Sequence, residues 1–448
     1  MREAFVRRRI FVVVLTLVLA LGGVAAPWAA RPAAAADAAV VFAALDILKD
    51  QHFTGPDPVR LLAAAAEGLR QTLTSAGTTT VPPALTATAE SGAREEFQRL
   101  FDQAVAAAQG RLNETQLQYA AATAMADSLD DSHTAFLTPE QWSEVQRELS
   151  NQASFSGIGI RLLTRDGQFY ALNVFPGTPA ARSGLRDLDR IVAVDGQSTQ
   201  GMTAQDVSRR IRGPQGTPVA VTVQRAGQPA PLTFTITREP ILVPAVDSRM
   251  LDGRTGYIHV FHLGGGSAGQ FRRALQDLQG QGMRALVLDL RGNSGGLVSE
   301  TIGVASALLP AGLPVMFREN RRRRLADVTG GGPLLAPAIP LVALTDEGTA
   351  SGGEVIAAAV QEYQRGTLVG TRTAGALLAG LYVALPGGAA IAVAVERVTT
   401  GKGVVVEKTG VQPDVAVELT TEDLERGVDA QFQRALQQLM QRVLAPAA

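Results

Sequence analysis

The sequence predicts a multidomain α+β chain: a helical N-terminal region, a β-rich module and an α/β core built on a mixed sheet. Three observations predict it. Residues 38–150 are alanine-rich with helical periodicity. Residues 157–238 break into short strands separated by Gly, Pro and Asp-Gly turns. From Ile241 onward strands alternate with helices. A chain of 448 residues, 46% of them hydrophobic, has room for two or three packed domains. The boundaries fall at residues 1–36 (a leader), 37–150 (a helical cap), 151–240 (the β-rich module), 241–420 (the α/β core) and 421–448 (a C-terminal helix).

Charge and composition exclude several classes of function. A net charge of −1 gives no general attraction to nucleic acid or anionic surfaces. With no cysteine there can be no disulfide, thiolate nucleophile, zinc–thiolate site or lipidated cysteine. The leader has Arg2, Arg7, Arg8 and Arg9 ahead of an apolar stretch from Ile10 to Val24, then small residues through Ala33-Ala34-Ala35-Ala36-Asp37. This is the pattern of a cleaved export signal. The apolar run, about fifteen residues, is shorter than the roughly 20 a membrane span needs. The working domains are expected outside the cytoplasm, in the periplasm, cell envelope or medium; an uncleaved leader would anchor them to the membrane.

In the cap, a Thr-, Pro- and Gly-rich stretch from Thr72 to Ser91 marks a loop. Asn113-x-x-Gln116 reads as a capping box opening a helix with Leu117, Ala121, Met125 and Leu129 on one face. That helix ends at Asp130-Asp131-Ser132-His133. Thr138-Pro139 opens the next, with a Thr N-cap and Pro at the first helical position. In the β-rich module strands are expected at Gly159 to Leu163, Phe169 to Val174, Arg190 to Val194, Val219 to Gln224 and Leu232 to Thr237, with a helix from Thr203 to Ile211. In the core, strands are expected at Gly256 to Phe261, Ala285 to Leu290 and Ile339 to Leu344. The helices Ala268 to Gln279, Ser299 to Leu308 and Gly352 to Tyr363 lie between and after them. One polar, Gln-rich helix is expected from Thr421 to Leu444.

Two segments of the core carry chemistry. Val287-Leu288-Asp289-Leu290-Arg291-Gly292-Asn293-Ser294-Gly295-Gly296 and Leu344-Thr345-Asp346-Glu347-Gly348-Thr349-Ala350-Ser351-Gly352-Gly353-Glu354 each run from a strand through a glycine-rich turn into a helix. Such turns aim backbone N–H groups at open space, where an oxyanion can be held. Ser351 stands at a strand-to-helix junction, a position that exposes a nucleophile. Ser351 could also simply cap the following helix; Thr349 is the other hydroxyl of the turn. Asp289 and Arg291 read as a structural pair at the strand end.

Taken in order, these segments resemble the C-terminal processing (tail-specific) serine peptidases and the related tricorn core protease, over roughly residues 38 to 420. Phe155-Ser156-Gly157-Ile158-Gly159-Ile160 looks like the family's carboxylate-binding PDZ loop. Pro176-Gly177-Thr178-Pro179-Ala180 and Asp189-Arg190-Ile191-Val192-Ala193-Val194-Asp195-Gly196 look like its following turns and strands. Asp289 to Gly296 is similar to Asp-Leu-Arg-x-Asn-x-Gly-Gly. Ser351 stands at the nucleophile, and Gly410-Val411-Gln412-Pro413-Asp414 matches the closing element. The resemblance implies a ClpP/crotonase-like core, a PDZ-like module and oxyanion donors at Gly295, Gly296 and Gly352. It also implies a peptide tail held at Gly157, Ile158, Gly159 and Ile160.

The match departs where most of the family carries its catalytic lysine. Here Val369-Gly370-Thr371-Arg372-Thr373-Ala374-Gly375-Ala376 places Ala376 at that position, and Gly380 replaces the glutamine that follows. Neither side chain can take a proton. Lys402 lies too far along to substitute. Of the four histidines, His52, His133, His259 and His262, His133 in Ser132-His133-Thr134 is similar to the Ser-His pair of the tricorn type. That type also uses a glutamate ahead of Gly-Val-x-Pro-Asp, here Glu407. A neutral imidazole can accept a serine proton and return it to a leaving amine, provided a third group fixes its tautomer; Ser132 or Glu407 could do so. His133 could instead cap its helix as a cation, and Glu407 could be a surface charge. His259 and His262 flank a strand near the site. Asp130, Asp131 and His133 are too close together to make a metal site.

The expectation is an exported serine endopeptidase that cleaves unstructured polypeptides with free C-terminal tails, with no metal, cofactor or nucleic acid. The alternative is a catalytically silent homologue that binds peptides through its PDZ-like module and acts as a scaffold.

Overall fold

The computed structural model describes residues 14–16, 37–150, 154–242 and 244–444. Apart from residues 14–16, the expected leader lies outside the described residues.

The cap is built from the helices Ala39–Gln51, Pro58–Ser75, Glu90–Ala108 and Glu114–Asp127. The expected capping box at Asn113 and Gln116 is present, with both reciprocal bonds at 2.9 Å. Small residues let these helices approach closely. A Cβ at Gly68 would lie 2.4 Å from that of Ala124, so the second and fourth helices cross where only glycine fits. Phe97, Phe101, Leu45, Leu62 and Leu69 fill the interior, together with Ile391 and Val393 from the core's long strand Ala390–Thr400. Cap and core therefore share one hydrophobic interior. The strand Ala135–Leu137 adds to the joint by pairing antiparallel with Ala390–Thr400, Ala135 opposite Ala392. Helix Pro139–Leu149 follows, as the Thr138-Pro139 signal predicts.

The β-rich module is an antiparallel sheet in the order Ile160–Arg165, Gln168–Val174, Arg190–Val194, Pro218–Gln224, Leu232–Thr237. Helix Ala204–Ile211, capped reciprocally by Thr203 and Asp206, packs Val207 and Ile211 against Ile158, Phe169 and Val221. A separate strand pair, Ser154–Gly157 with Glu239–Leu242, closes the module at its two chain ends.

The core sheet runs Val246–Met250, Thr255–Val260, Ala285–Asp289, Leu341–Thr345, Thr367–Gly370, Val415–Ala416. All its pairings are parallel except the first. Both faces are covered, which is why its central strands read as unbroken apolar runs. Leu286, Leu288 and Ala343 face the helices Ser267–Gly280, Val298–Leu308 and Gly352–Glu362. Val287, Val342 and Leu344 face Ala435 and Leu439 of helix Ala430–Leu444. The single C-terminal helix expected from Thr421 is in fact two, Thr421–Glu425 and Ala430–Leu444, because Gly427 turns the chain at φ 68°.

A second sheet contains the hairpin Leu378–Ala384 with Ala390–Thr400, the pair Pro314–Glu319 with Arg324–Val328, and the short strand Gly295–Leu297. Val14–Thr16 is added in parallel beside Gly295–Leu297, with Thr16 opposite Gly380.

Asp289 ends its strand completely buried and is held by Arg291 at 2.7 Å and by the Tyr257 hydroxyl at 2.9 Å. Arg291 also reaches Asp429 at 2.9 Å and Gln431 at 3.2 Å, which ties the C-terminal segment to the strand end. Burial raises the Asp289 carboxyl, but the Arg291 charge outweighs it and holds the group well below the usual carboxylate range. Removing one partner of such a pair strands the other charge. Arg291→Ala should therefore destabilise the fold by about 3–5 kcal/mol in urea denaturation. A loss below about 1 kcal/mol, as for a surface pair, would contradict this account.

Candidate active site

Strand Leu341–Thr345 delivers a tight turn, Asp346–Ala350, and then Ser351 at the start of helix Gly352–Glu362. Two loops are knitted together here. The Gly292 N–H donates to Asp346 Oδ1 at 2.7 Å, the Ala350 N–H to the Asn293 carbonyl at 2.8 Å, and the Thr349 hydroxyl to the Leu290 carbonyl at 2.8 Å. That last bond commits Thr349 to structure and removes it as a nucleophile candidate.

Ser351 has φ 51° and ψ −119°, a conformation that L-residues rarely adopt. Its side chain is buried, and its Oγ has no hydrogen-bond partner among the described residues. A serine acting only as a helix cap would use that oxygen. The capping contact that does exist runs the other way, from the Ser351 N–H to Glu354 Oε2 at 3.0 Å. Glu354, also buried, accepts from the Ala376 N–H at 2.9 Å, the Gly375 N–H at 2.8 Å and the Thr373 hydroxyl at 2.5 Å. The Ser351 N–H further approaches the Ala376 carbonyl at 3.1 Å. The segment 373–377 is thus locked against the serine turn.

Gly295 lies directly against the serine: a Cβ there would be 2.6 Å from Ser351 Cβ and 3.0 Å from its Oγ, so no other residue fits. Its own N–H donates to Asn293 Oδ1 at 2.8 Å. Of the two alternatives Gly295 and Gly296, the Gly295 amide is thus engaged by Asn293 in this structure. Gly296 and Gly352 remain as the candidate donors, with Gly352 opening the helix and adding its positive dipole end.

His133 comes from the cap, two residues ahead of the strand Ala135–Leu137 that pairs with the core. Asp131 Oδ1 accepts from the His133 and Thr134 N–H groups at 2.8 and 2.7 Å, and Asp131 Oδ2 is held by His52 Nε2 at 3.0 Å. His133 Nδ1 lies 2.7 Å from Ser132 Oγ, and Ser132 Oγ lies 3.0 Å from Glu407 Oε2. Glu407 Oε2 also accepts from the Leu377 N–H at 2.7 Å. If the Ser132 hydroxyl donates to the carboxylate, its oxygen must accept from His133 Nδ1–H. Nε2 is then the unprotonated nitrogen. That Nε2 is buried and has no hydrogen-bond partner. Burial pushes His133 down to about 4, against a raising influence from Asp131. Burial likewise pushes Glu407 up.

The small residues at the departures from the lysine pattern have a spatial consequence. A Cβ at Gly380 would lie 3.9 Å from His133 Cβ, so a longer side chain there would compete with the imidazole for space. Lys402 sits in the turn after strand Ala390–Thr400, with its ammonium over the Tyr363 ring. His259 is occupied by the Arg291 carbonyl at 3.1 Å, and Asp130 by Lys408 at 2.9 Å. Among the described residues no group of three or more His, Asp or Glu is arranged to hold a metal ion.

In the β-rich module, Gly157 to Ile160 forms the turn into the edge strand Ile160–Arg165. Gly159 has φ 86° and packs on Thr178, where a Cβ would lie 2.3 Å from another carbon. The carbonyls of Ile158 and Gly159 are taken by the Ala180 and Phe175 N–H groups at 2.8 and 3.0 Å. Sequence reasoning missed Asp131, His52, Asn293 and Glu354; their partners lie far away in the chain or offer only backbone.

Peptidase family S41 matches residues 254–417 and the PDZ domain family matches residues 171–225. The carboxyl-terminal-processing protease of Synechocystis sp. is 34% identical over 325 residues, covering 71% of this chain and 76% of that protein. The carboxy-terminal processing protease CtpA of Bacillus subtilis is 30% identical over 295 residues, covering 66% of this chain and 62% of that protein. Among solved structures, the photosystem II D1 C-terminal processing protease is similar at a TM-score of 0.51 and 27% identity, covering 85% of this chain and 93% of that one. With a curated relative of that identity and coverage, a PDZ module and an S41 core in one chain, this protein belongs to the carboxyl-terminal-processing serine proteases of peptidase family S41.

Proposed function

We propose that the protein is an exported serine endopeptidase acting on unstructured polypeptide tails, with Ser351 as nucleophile, His133 as base, and Ser132 and Glu407 as the relay that orients the base. The observation that carries this reading is the strained turn that holds Ser351 against Gly295, with Ser351 Oγ and His133 Nε2 among the buried side-chain atoms that have no partner among the described residues. A buried polar atom without a partner costs about 1–3 kcal/mol. The Ser351 N–H meets the Ala376 carbonyl at 3.1 Å, and His133 reaches the same segment through Ser132 and Glu407, which accepts from the Leu377 N–H, so the two atoms make sense as the reacting groups of one site. They do not hydrogen-bond each other here; such contacts commonly tighten only when substrate binds. Export rests on the basic and apolar pattern of residues 1–36.

In the reaction, His133 Nε2 takes the Ser351 proton as Oγ bonds to the scissile carbonyl carbon. The carbonyl oxygen becomes an oxyanion held by the amides of Gly296 and Gly352. Nδ1–H stays on the imidazolium, facing Ser132 and through it the Glu407 carboxylate. The C–N bond then breaks, and the Nε2 proton leaves with the amine. Water attacks the acyl-enzyme with its proton passing to Nε2, and Ser351 is regenerated. This sequence needs neither the lysine that Ala376 replaces nor any cofactor.

A serine-directed fluorophosphonate should label the wild type, fail to label Ser351→Ala, and label His133→Ala at least about 1,000-fold more slowly. Full-rate labelling of His133→Ala would remove the base assignment. Intact wild type that takes no label and cleaves no peptide would favour a peptide-binding scaffold.

The acid limb of kcat/KM should lie well below the ordinary histidine value, toward about 4, because His133 must be neutral to act and its buried ring resists protonation. Activity is retained above that value and falls as pH drops through it. A limb at about 6.5 would show that the working base is a solvated imidazole.

Ala376→Lys placed in His133→Ala should not restore turnover, since an amine at that position would still lack the glutamine that Gly380 replaces. Recovery to within about tenfold of wild type would show the lysine machinery to be intact.

A further inference from the structure

The cap carries a second buried imidazole that the proposed reaction does not use. His52 is 2% exposed and stands at the end of helix Ala39–Gln51, its N–H donating to the Leu48 carbonyl at 3.1 Å. Both ring nitrogens are engaged. Nδ1 accepts from the Thr54 N–H at 3.3 Å and lies 2.8 Å from the Thr54 hydroxyl. The ring proton therefore sits on Nε2, which faces Asp131 Oδ2 at 3.0 Å. The other oxygen of Asp131 accepts from the His133 and Thr134 N–H groups at 2.8 and 2.7 Å. One carboxylate thus joins the ring of His52 to the backbone of His133. Burial raises the Asp131 carboxyl, but the bonds from His52, His133 and Thr134 outweigh it and hold the group below its ordinary value.

The core meets this cluster at an irregularity in its second sheet. Strands Leu378–Ala384 and Ala390–Thr400 pair Ala379 with Glu396 but Gly380 with Ala394, which leaves Val395 as the extra residue of a β-bulge. The cap engages both backbone polar groups of Ala394. The Ala394 carbonyl accepts from the Phe53 N–H at 3.0 Å, and the Ala394 N–H donates to the Thr134 hydroxyl at 3.2 Å. The residue after His52 and the residue after His133 are therefore pinned to one residue of the core. That residue pairs with Gly380, where a Cβ would stand 3.9 Å from His133 Cβ.

We infer that His52 is a positioning residue for the base: its Nε2–H fixes the Asp131 carboxylate, and that carboxylate fixes the backbone from which the His133 ring projects toward Ser351. The inference deepens the Ser351–His133 reading and rests on it. Without the His52 donor, one oxygen of a buried carboxylate loses its partner, and a carboxylate so placed turns or takes up a proton. Either change loosens its hold on the His133 and Thr134 N–H groups. The imidazole at 133 then samples orientations in which Nε2 misses the serine, and a displacement of about 1 Å can cost about 100-fold in rate. What His52 supplies is a hydrogen-bond donor at a fixed point, so an aromatic ring of similar size cannot replace it.

The test uses the full chain and follows both the rate and the final extent of labelling by a serine-directed fluorophosphonate. The rate is read on the molecules that label, so unfolded protein does not enter it. His52→Phe keeps a ring and removes the donor; it should slow labelling about 10- to 100-fold at the same final extent as the wild type. His52→Leu carries the same expectation where the phenyl ring is not accommodated. His52→Gln returns an N–H to the reach of Asp131 and should bring the rate back to within about threefold of the wild type, a rescue that loss of packing would not show. Placed in His133→Ala, His52→Phe should slow labelling no further, as expected of residues that act as one unit. A wild-type rate in both His52→Phe and His52→Leu, or a His52→Gln as slow as they are, would overturn the positioning role. So would an equal slowing by His52→Phe with and without His133, which would place its action elsewhere while leaving His133 as the base. Full-rate labelling of His133→Ala alone would overturn the base assignment and this inference with it.

Discussion

The Glu354 carboxylate is the constraint on which the rest of the site depends. It is completely buried and receives four donors: the N–H groups of Ser351, Gly375 and Ala376 and the Thr373 hydroxyl. Burial raises this carboxyl and the donors oppose that. Four donors on two oxygens fit the ionised form, since a protonated oxygen would have to face a donor. The left-handed backbone of Ser351 costs about 1–3 kcal/mol, and it persists because Glu354 fixes the N–H that such a turn leaves behind. The same two oxygens fix segment 373–377, from which the Leu377 N–H reaches Glu407. One residue thereby sets the relation between the Ser351 turn and Glu407, the group proposed to orient the base.

The proposed base arrives by a different route. His133 is placed by strand addition: Ala135–Leu137 pairs with Ala390–Thr400, the Thr134 hydroxyl accepts from the Ala394 N–H at 3.2 Å, and cap and core share Ile391 and Val393. Backbone pairing and a common apolar interior position the imidazole more rigidly than a flexible loop could. Gly380, on the neighbouring strand Leu378–Ala384, leaves the space beside it. Position 380 and the imidazole from the cap are thus neighbours, a Cβ at Gly380 standing 3.9 Å from His133 Cβ.

The fluorophosphonate experiment tests groups that were legible in the sequence to different degrees. The two glycine-rich turns and Ser351 stand out because strand, turn and helix signals coincide there. The module's strands and the Asn113 and Thr203 helix starts were equally legible, since both capping and period-two alternation are local. The strands Pro314–Glu319 and Ala390–Thr400 were not anticipated. Their apolar runs carry no flanking signal that says which sheet they join, and pairing partners such as Ala135 and Ala392 lie hundreds of residues apart in the chain. The choice between Gly295 and Gly296 was open for the same reason: the glycine pattern locates the turn, but only the fold shows that Asn293 Oδ1 turns back to accept from the Gly295 N–H. Glu407 could be read either way because its partners, Ser132 and Leu377, are distant in sequence.

The proposed relay would also explain how a buried imidazole serves without a carboxylate in direct contact. A carboxylate bonded straight to Nδ1 would favour the imidazolium and raise the ring's affinity for protons. With Ser132 interposed, the negative charge of Glu407 stands one hydroxyl further off, and burial dominates, leaving His133 neutral down to about 4. A neutral ring with its proton fixed on Nδ1 is in the form needed to accept from Ser351 across the whole neutral range. In the proposed mechanism the imidazolium exists only while the oxyanion exists, when Ser132 can lean its oxygen toward Nδ1–H and its proton toward Glu407. The arrangement thus gives up basicity in the resting state and supplies stabilisation when charge develops, which is where stabilisation accelerates a reaction.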